Sequence, residues 1–435
     1  MGEGVGGVGG VCSSSHEAVK RILIIYPHWP PSNLVGVHRV RLIANELEAL
    51  GWKPTVLTVD EHDHEEQLSA ASEQLVKPGM EVIKVRARPV KKIAGKRVIG
   101  DIGLRGFKAI KQEAHRLLAS KSYDFIWFSV PSYYLTLMGT SLSRRHGVPF
   151  GVDYQDPWVY SLSKAQKGLN RATATVLLAR LLEPIALRNV ALVSGISEGY
   201  IEGVRQRNAR LKRLPTPTCQ LGFSMRDHQI ELPKFQVPFT EDKRTFIYAG
   251  AYWQLGAPLF RLWFQGLAKA VNRNAIPADV EFLFVGTNNP ELPSITSLIE
   301  AFELQKIARE IAVRQPYLEI QQMLRESAGA IVMGSLEAHY SPSKVFQCLV
   351  TAPRTMAFFH AESEGKSILE ACNAAHFYVP FHPAADQQET VTLLADALER
   401  FVQPHAPWSP DLKALQPHTA EQSAKNLIAG IEQIQ

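Results

Sequence analysis

The chain has 435 residues, of which 46% are hydrophobic and 20% charged. That is length for two or three domains and apolar content for full cores, which excludes a mainly disordered protein. Its four cysteines (Cys12, Cys219, Cys348, Cys372) form no Cys-x-x-Cys pair, which argues against a disulfide scaffold or thiolate zinc site and for a reduced, cytoplasmic setting. The net charge of +5 conceals a split: residues 1–215 carry 30 Lys and Arg against 19 Asp and Glu, and residues 216–435 carry 17 against 23.

Residues 1–18 read as a flexible Gly/Ser-rich tail. Gly4, Gly6 and Gly9 fit G-x-G-x-x-G, but that fingerprint has meaning only between a strand and a helix, and here it precedes both. Arg21–Tyr26 (RILIIY) is an apolar, isoleucine-rich run, as in a strand buried on both faces. A loop with three prolines (PHWPPSNLVG) follows. Val37–Leu50 then places Val40, Ile43, Ala44, Leu47 and Leu50 at a helical period closed by Gly51, and Thr55–Val59 is a second strand. The pattern recurs: Glu81–Val85 strand, Phe107–Ser120 helix, Phe125–Val130 strand, Tyr134–His146 helix and Pro149–Asp153 strand. Ala191–Ser194 and Leu211–Leu214 are predicted as the last short strands. This half spans 19–215, and Pro215, Pro217, Pro233 and Pro238 mark a linker over 216–240.

A second alternating series occupies 241–404. Thr245–Tyr248, Val280–Val285, Gly329–Met333 and Thr355–Phe359 are predicted strands. Helices are predicted over Pro258–Asn272, Ser294–Ala312, Tyr317–Arg325, Pro342–Val350, Glu364–Ala374 and Val391–Val402. Residues 405–435 form a C-terminal helix predicted to pack back on the N-terminal domain. The two series predict an α/β protein with two doubly wound, parallel-sheet, Rossmann-like domains facing a cleft. No run reaches the roughly 20 uninterrupted apolar residues of a membrane-spanning helix; the best, Ala172–Leu187, is broken by Arg180 and Glu183. The N-terminus also lacks the basic-then-apolar order of a secretory signal.

Ligands of such sheets bind beyond the carboxyl ends of the strands. There, Ser341-Pro342-Ser343-Lys344 sets an N-cap serine and a first-turn proline before a lysine, which suits a diphosphate; a capped helix with a surface lysine is the alternative. Gly250 and Ala251 follow a strand, where a glycine lets backbone approach a phosphate or simply makes a turn. In the first half, Gly36, His38 and Arg39 join strand to helix. Gly36 offers backbone access, Arg39 reaches phosphate or acceptor, and His38 is a catalytic candidate or simply a helix-start residue. Asp156 is an acceptor contact or base unless Asp-Pro is only a turn signal. Trp158 stacks on a ligand ring or fills the core. Asp60–Glu66 (DEHDHEE) sets His62 and His64 among five carboxylates. A solvated acidic loop is expected there, with no metal, because the ligand spacing matches no known signature.

Between Lys84 and Arg116 the chain holds 11 basic residues against Asp101 and Glu113, interleaved with apolar ones. This composition suits an anionic membrane surface. No nucleic-acid motif accompanies it, so nucleic acid is not expected as a partner. A solvated helical face is the plain alternative.

Four segments in order, YPHWPPSNLVGVHRVRLIANELEALGWKPTVLTV, HGVPFGVDYQDPW, IYAGAYWQLGAPLF and SPSKVFQCL, resemble glycosyltransferase family 4, the group 1 nucleotide-sugar transferases of the GT-B fold. The resemblance covers about residues 20–430. It implies transfer of a sugar from a nucleotide-diphosphate donor, with retention and without a required metal or other cofactor. It implies a lipid-linked or polysaccharide acceptor in envelope synthesis, and a cytoplasmic site peripheral to the inner face of the plasma membrane. It places Gly250, Ala251, Gly286, Thr287, Ser341, Ser343 and Lys344 at the donor, with the Arg314–Tyr317 stretch near the base. The family usually carries two glutamates eight positions apart. Here His339 stands at the first, with Glu337 two residues away, and Gln347 at the second, the ribose position. The lost charge keeps a rival reading open, a non-catalytic GT-B-like sugar-binding or assembly protein. A nucleotide-sugar epimerase is a third reading, which no glutamate or histidine pair specifically supports.

Overall fold

The computed structural model describes residues 19–434, apart from 94–95, 98–99, 161–169, 221, 233–234, 339–343 and 405–407. In the first half, strands β1 (Lys20–Ile25), β2 (Trp52–Val59) and β3 (Glu81–Val85) are followed by a small antiparallel hairpin, β4 (Lys92–Ile93) with β5 (Lys96–Arg97). Then come β6 (Phe125–Val130), β7 (Phe150–Tyr154) and β8 (Leu192–Gly195). The six long strands form one parallel sheet of order β3-β2-β1-β6-β7-β8. The second half repeats it with β9 (Arg244–Ala249), β10 (Val280–Val285), β11 (Ala308–Ile311), β12 (Gly329–Met333), β13 (Thr355–His360) and β14 (Tyr378–Phe381), in the order β11-β10-β9-β12-β13-β14. Central strands such as FIWFSV and VEFLFV are buried along their whole length, as helices on both faces of a parallel sheet require. Each sheet reverses its direction of growth once, between β1 and β6 and between β9 and β12. Those switch points open crevices at the carboxyl ends of the strands.

On one face of the first sheet lie helices Ile102–Ser120 and Arg171–Ala186. On the other, helix Val35–Leu47 packs with the last helix, Ala420–Glu432, which brings Ala424, Leu427 and Ile431 against Val40, Ile43 and Leu47. In the second half Ala257–Asn272 and Gln387–Val402 cover one face, and Tyr317–Glu326, Lys344–Thr351 and Glu364–Ala371 the other.

Several elements differ from the sequence expectation: the helix expected over Tyr134–His146 begins as a 3-10 turn to Met138, the C-terminal helix spans only Ala420–Glu432, and helix Glu198–Arg207 was not expected. Leu211–Leu214 is no strand but the end of a 3-10 turn, Ala209–Arg213, that buries Leu211 alone among basic residues. The helix expected over Ser294–Ala312 stops at Ala301; Glu303 takes a left-handed φ of 57°, and β11 follows and pairs with β10. The unanticipated β14 carries Pro380 and lies at the sheet edge, where a missing N–H is tolerated.

Helix Val35–Leu47 is held by two buried guanidinium–carboxylate pairs. Arg39 donates to both carboxylate oxygens of Asp153, at 2.9 and 2.7 Å, and to the backbone carbonyls of Cys219 and Gln220. Asp153 also accepts from Ser194 at 2.7 Å and Ser129 at 3.1 Å. Arg41 grips Asp227 at 2.8 and 2.6 Å. Removing one partner of a buried pair strands the other charge, at about 3–5 kcal/mol. Arg39→Met is therefore expected to lose about that much stability in urea unfolding. Arg39→Met with Asp153→Asn should lose less than the two single changes together, and strict additivity would disprove the coupling.

Candidate active site

The crevices of the two sheets meet in a cleft of about 290 Å³. The first half contributes Asn33, Val35, His38 and Arg41, and the second Gly250, Gly286, Arg314, Tyr317, Lys344 and Gln347. Among the described residues no carboxylate lines it. Its charge is thus positive, with Arg41 already committed to Asp227 while Lys344 and Arg314 face the space.

Lys344 opens helix Lys344–Thr351, and its stem runs over the end of β9. A Cβ on Gly250 would stand 2.9 Å from Lys344 Cε and 2.6 Å from the Tyr248 hydroxyl. Only a glycine admits the lysine there without a shift. The Gly250 N–H is fixed by Val285 O at 2.9 Å, and the Tyr248 hydroxyl donates to Ala251 O at 2.6 Å. Desolvation, aided by Arg314, moves the Lys344 ammonium below the ordinary lysine range.

His38 lies over Tyr317, ring centroids 4.5 Å apart, and its buried Nδ1 has no hydrogen-bond partner among the described residues. Burial, with Arg41, Arg314 and Lys344 nearby, lowers its pKa to about 3. The imidazole is therefore neutral near pH 7, a hydrogen-bonding group and not a cation. Tyr317, pushed up to about 12 by burial, shares a hydrogen bond with Gln347.

The structure brings Lys344, Gly250, Ala251, Gly286, Gln347 and His38 to one cleft. Other candidates lie elsewhere. Arg39, only 1% exposed and saturated by Asp153 and the linker carbonyls, cannot reach a ligand. Gly36 gives a ligand no backbone access: a Cβ there would overlap the Tyr26 hydroxyl, so the glycine serves close packing. The Thr287 hydroxyl is buried and given to Glu310. Trp158, 6% exposed, stacks on Tyr133 at 5.1 Å with 8° between the rings, and so fills the core. Asp156 is exposed outside the cleft lining; its carbonyl accepts from the Tyr133 hydroxyl at 3.1 Å, and partial desolvation raises its carboxyl pKa. The Glu337 N–H donates to Ser335 Oγ, and this residue too is outside the lining. His339, Ser341 and Ser343 lie outside the described residues. The sequence reading expected Ser32–Arg39 to face the cleft, which Asn33, Val35 and His38 do, but passed over Arg41; the two-residue step from Arg39 to Arg41 around a helix is the one signal that these two arginines point differently.

Two parallel six-stranded sheets of this order, joined around a cleft, are the architecture of the GT-B fold. Residues 36–216 match the family model described as "Glycosyl transferase 4-like domain". Among solved structures, HepE from Anabaena in complex with UDP and glucose superposes with a TM-score of 0.56 at 14% identity, over 95% of this chain and 100% of that one. Sucrose-phosphate synthase from Thermosynechococcus elongatus gives 0.51 at 15%, over 95% and 94%. The trehalose-6-phosphate protein of E. coli bound with UDP-2-fluoro glucose gives 0.56 at 11%, over 95% and 99%. At these identities the likeness is one of fold. No curated protein matches the sequence.

The neutral His38 has a measurable consequence. An unfolded histidine takes a proton below about pH 6.5, whereas folded His38 refuses it until about pH 3. This residue therefore withdraws stability as pH falls through 6.5, by about 2 kcal/mol between pH 7 and 5. His38→Asn is expected to lose about that much less than the parent over this interval in urea unfolding, and an identical pH dependence would contradict the buried neutral state.

Proposed function

We propose that the protein transfers a sugar from a nucleotide-diphosphate sugar to a lipid-linked or polysaccharide acceptor, with retention and without a metal at the donor phosphates. The observation that carries this reading is the cleft itself: Lys344 and Arg314 face it from the second half, and no described carboxylate opposes them. When the bond from the sugar to the diphosphate breaks, negative charge develops on the leaving phosphate. Preorganised cations in a desolvated site stabilise it there far better than water does. Neutral His38 supplies a hydrogen bond without adding repulsion, and Gln347 offers donor and acceptor groups to a ribose. The solved complexes of HepE with UDP and glucose and of the E. coli protein with UDP-2-fluoro glucose make a uridine donor the first to try. Retention and the acceptor class rest on the family resemblance.

In this reading nucleotide binding raises the melting temperature, and UDP, GDP and ADP compared side by side identify the base. A protein that no nucleotide stabilises has no donor site here. Lys344→Ala should reduce turnover about 10²–10³-fold, as loss of one preorganised charge-stabilising group does, with an unchanged circular dichroism spectrum. Parental turnover would remove the lysine from the reaction. Gln347 favours a second reading, a binding protein without activity, which nucleotide binding with no transfer to any acceptor would establish.

The acceptor side is proposed to lie against an anionic membrane from the cytoplasmic face. Within Lys84–Arg116, Arg88, Lys91 and Lys108 are exposed. Arg105 is instead buried on the carbonyls of Arg88 and Asp63, while Lys84, Arg86 and Arg116 pair with Glu61, Asp63 and Glu113. The expected patch is thus thinner than its composition. On the same side of the sheet, helix Arg171–Ala186 turns Leu177, Leu181 and Ile185 outward, at 55, 69 and 58% exposure. No helix among the described residues is long and apolar enough to cross a membrane. The protein should sediment with vesicles containing anionic lipid, and less so after Lys91, Lys92, Lys96 and Arg97 are changed to Glu or Leu177 and Leu181 to Ser. Equal sedimentation of parent and both variants would refute the docking surface.

A further inference from the structure

The loop after β1 and the loop after β2 meet beside the cleft, joined by backbone hydrogen bonds from Asn33 to Gln67 and from Ser69 to Pro31. At this junction three side chains converge. His28 Nδ1 stands 2.8 Å from Glu66 Oε1, and His64 Nδ1 stands 3.2 Å from the same oxygen. One ligand atom from each of the three residues lies within 4.8 Å of the others. The two imidazoles meet edge-on, with centroids 5.4 Å apart.

Hydrogen bonding does not account for His64. Its side chain is 1% exposed, yet among the described residues neither ring nitrogen has a hydrogen-bond partner, and the 3.2 Å approach to Glu66 is not aligned for one. A buried imidazole with both nitrogens unserved is an expensive arrangement, whereas an approach close in distance but wrong in direction is how two ligands of one ion stand. Ligand atoms of a tetrahedral zinc are about 3.3–3.5 Å apart at ordinary Zn–N and Zn–O lengths. The two separations to Glu66, 2.8 and 3.2 Å, are close to that, and the two imidazole nitrogens lie within 4.8 Å of each other. Glu66 Oε1 stands between the two imidazoles and also accepts from Ser32 Oγ at 2.6 Å.

We propose that His28, His64 and Glu66 bind one divalent zinc-type cation, a site separate from the donor cleft and independent of sugar transfer. Two imidazoles and a carboxylate suit zinc over magnesium or calcium, which favour all-oxygen shells. Three protein ligands leave a tetrahedral ion one position for water or another oxygen donor. The ion ties the β1 and β2 loops together at the cleft edge, one residue from Asn33, which follows Ser32, itself bonded to Glu66 at 2.6 Å. The neighbouring group of Asp60, Glu61 and His62 is no rival. His62 is 76% exposed and closed on Asp60 at 2.6 Å, and Glu61 is held by Lys84 at 2.8 Å.

The test uses the full chain, stripped with a chelator and titrated with zinc chloride against a chromogenic competitor, and with cobalt to read coordination from its visible absorption. One equivalent of zinc and a tetrahedral cobalt spectrum are expected. Glu66→Gln, close in shape to the parent, and His28→Ala should each weaken zinc at least about tenfold. His62→Ala should leave affinity unchanged. Melting curves of the metal-free proteins confirm that each variant folds, and zinc should raise the parent's melting temperature more than either variant's. Failure of the parent to take up zinc would overturn the site, as would unchanged affinity in both Glu66→Gln and His28→Ala.

Discussion

The buried pair of Arg39 and Asp153 is the interaction on which the first half and its junction with the second depend. Two charges removed from water are tolerable only when every hydrogen-bonding position is used, and here they nearly are. Asp153 takes both prongs of the guanidinium and two serine hydroxyls, and the two Nη1–H groups go to the linker carbonyls. One contact thus sets the height of helix Val35–Leu47 on the sheet, the end of β7 and the path of the chain as it leaves the first half. Arg41 repeats the device two residues further along the helix, fixing Asp227.

With the helix so fixed, its other faces become instruments. His38 is carried to Tyr317 of the second half, and Val35 and Arg41 reach the cleft wall. The opposite wall depends on an absence: Gly250 has no side chain, so Lys344 passes over β9 into the cleft. The site is therefore basic with its histidine neutral. That polarity suits an anion that gains charge as it departs better than it suits proton transfer by a titrating side chain.

Much of the fold was legible because parallel strands buried on both faces print themselves as uninterrupted apolar runs. Phe125–Val130 and Val280–Val285 begin and end where the runs do. The failures have equally local causes. Ile299, Phe302 and Leu304 continue a helical period past the point where Glu303 turns the backbone, which hid β11. Pro380 disguised an edge strand. In the site, Gly250, Lys344 and Gln347 stand on strand ends and helix starts, where position alone points to a ligand. Arg39 does so too, but its partner lies 114 residues away, and no spacing rule announces a buried ion pair. Likewise His64 was visible beside His62, whereas His28, which faces it, is brought there by the adjacency of β1 and β2.

The last helix packs on the first sheet, so the chain crosses between the halves twice, and the two crossings touch. Phe223 and Thr419 form a parallel bridge, Ala420 donates to Phe223 O at 2.8 Å, and Gly222 sits against the backbone of His418 to Ala420 with no room for a side chain. A single connecting strand would let one half swivel freely about the other. Two connectors zipped together resist twisting and leave bending as the easy motion. Any opening of the cleft must therefore bend both connectors together. The same arrangement means that a cut in the 216–240 linker cannot release a self-sufficient first half, because the final layer of its core is delivered by the last residues of the chain.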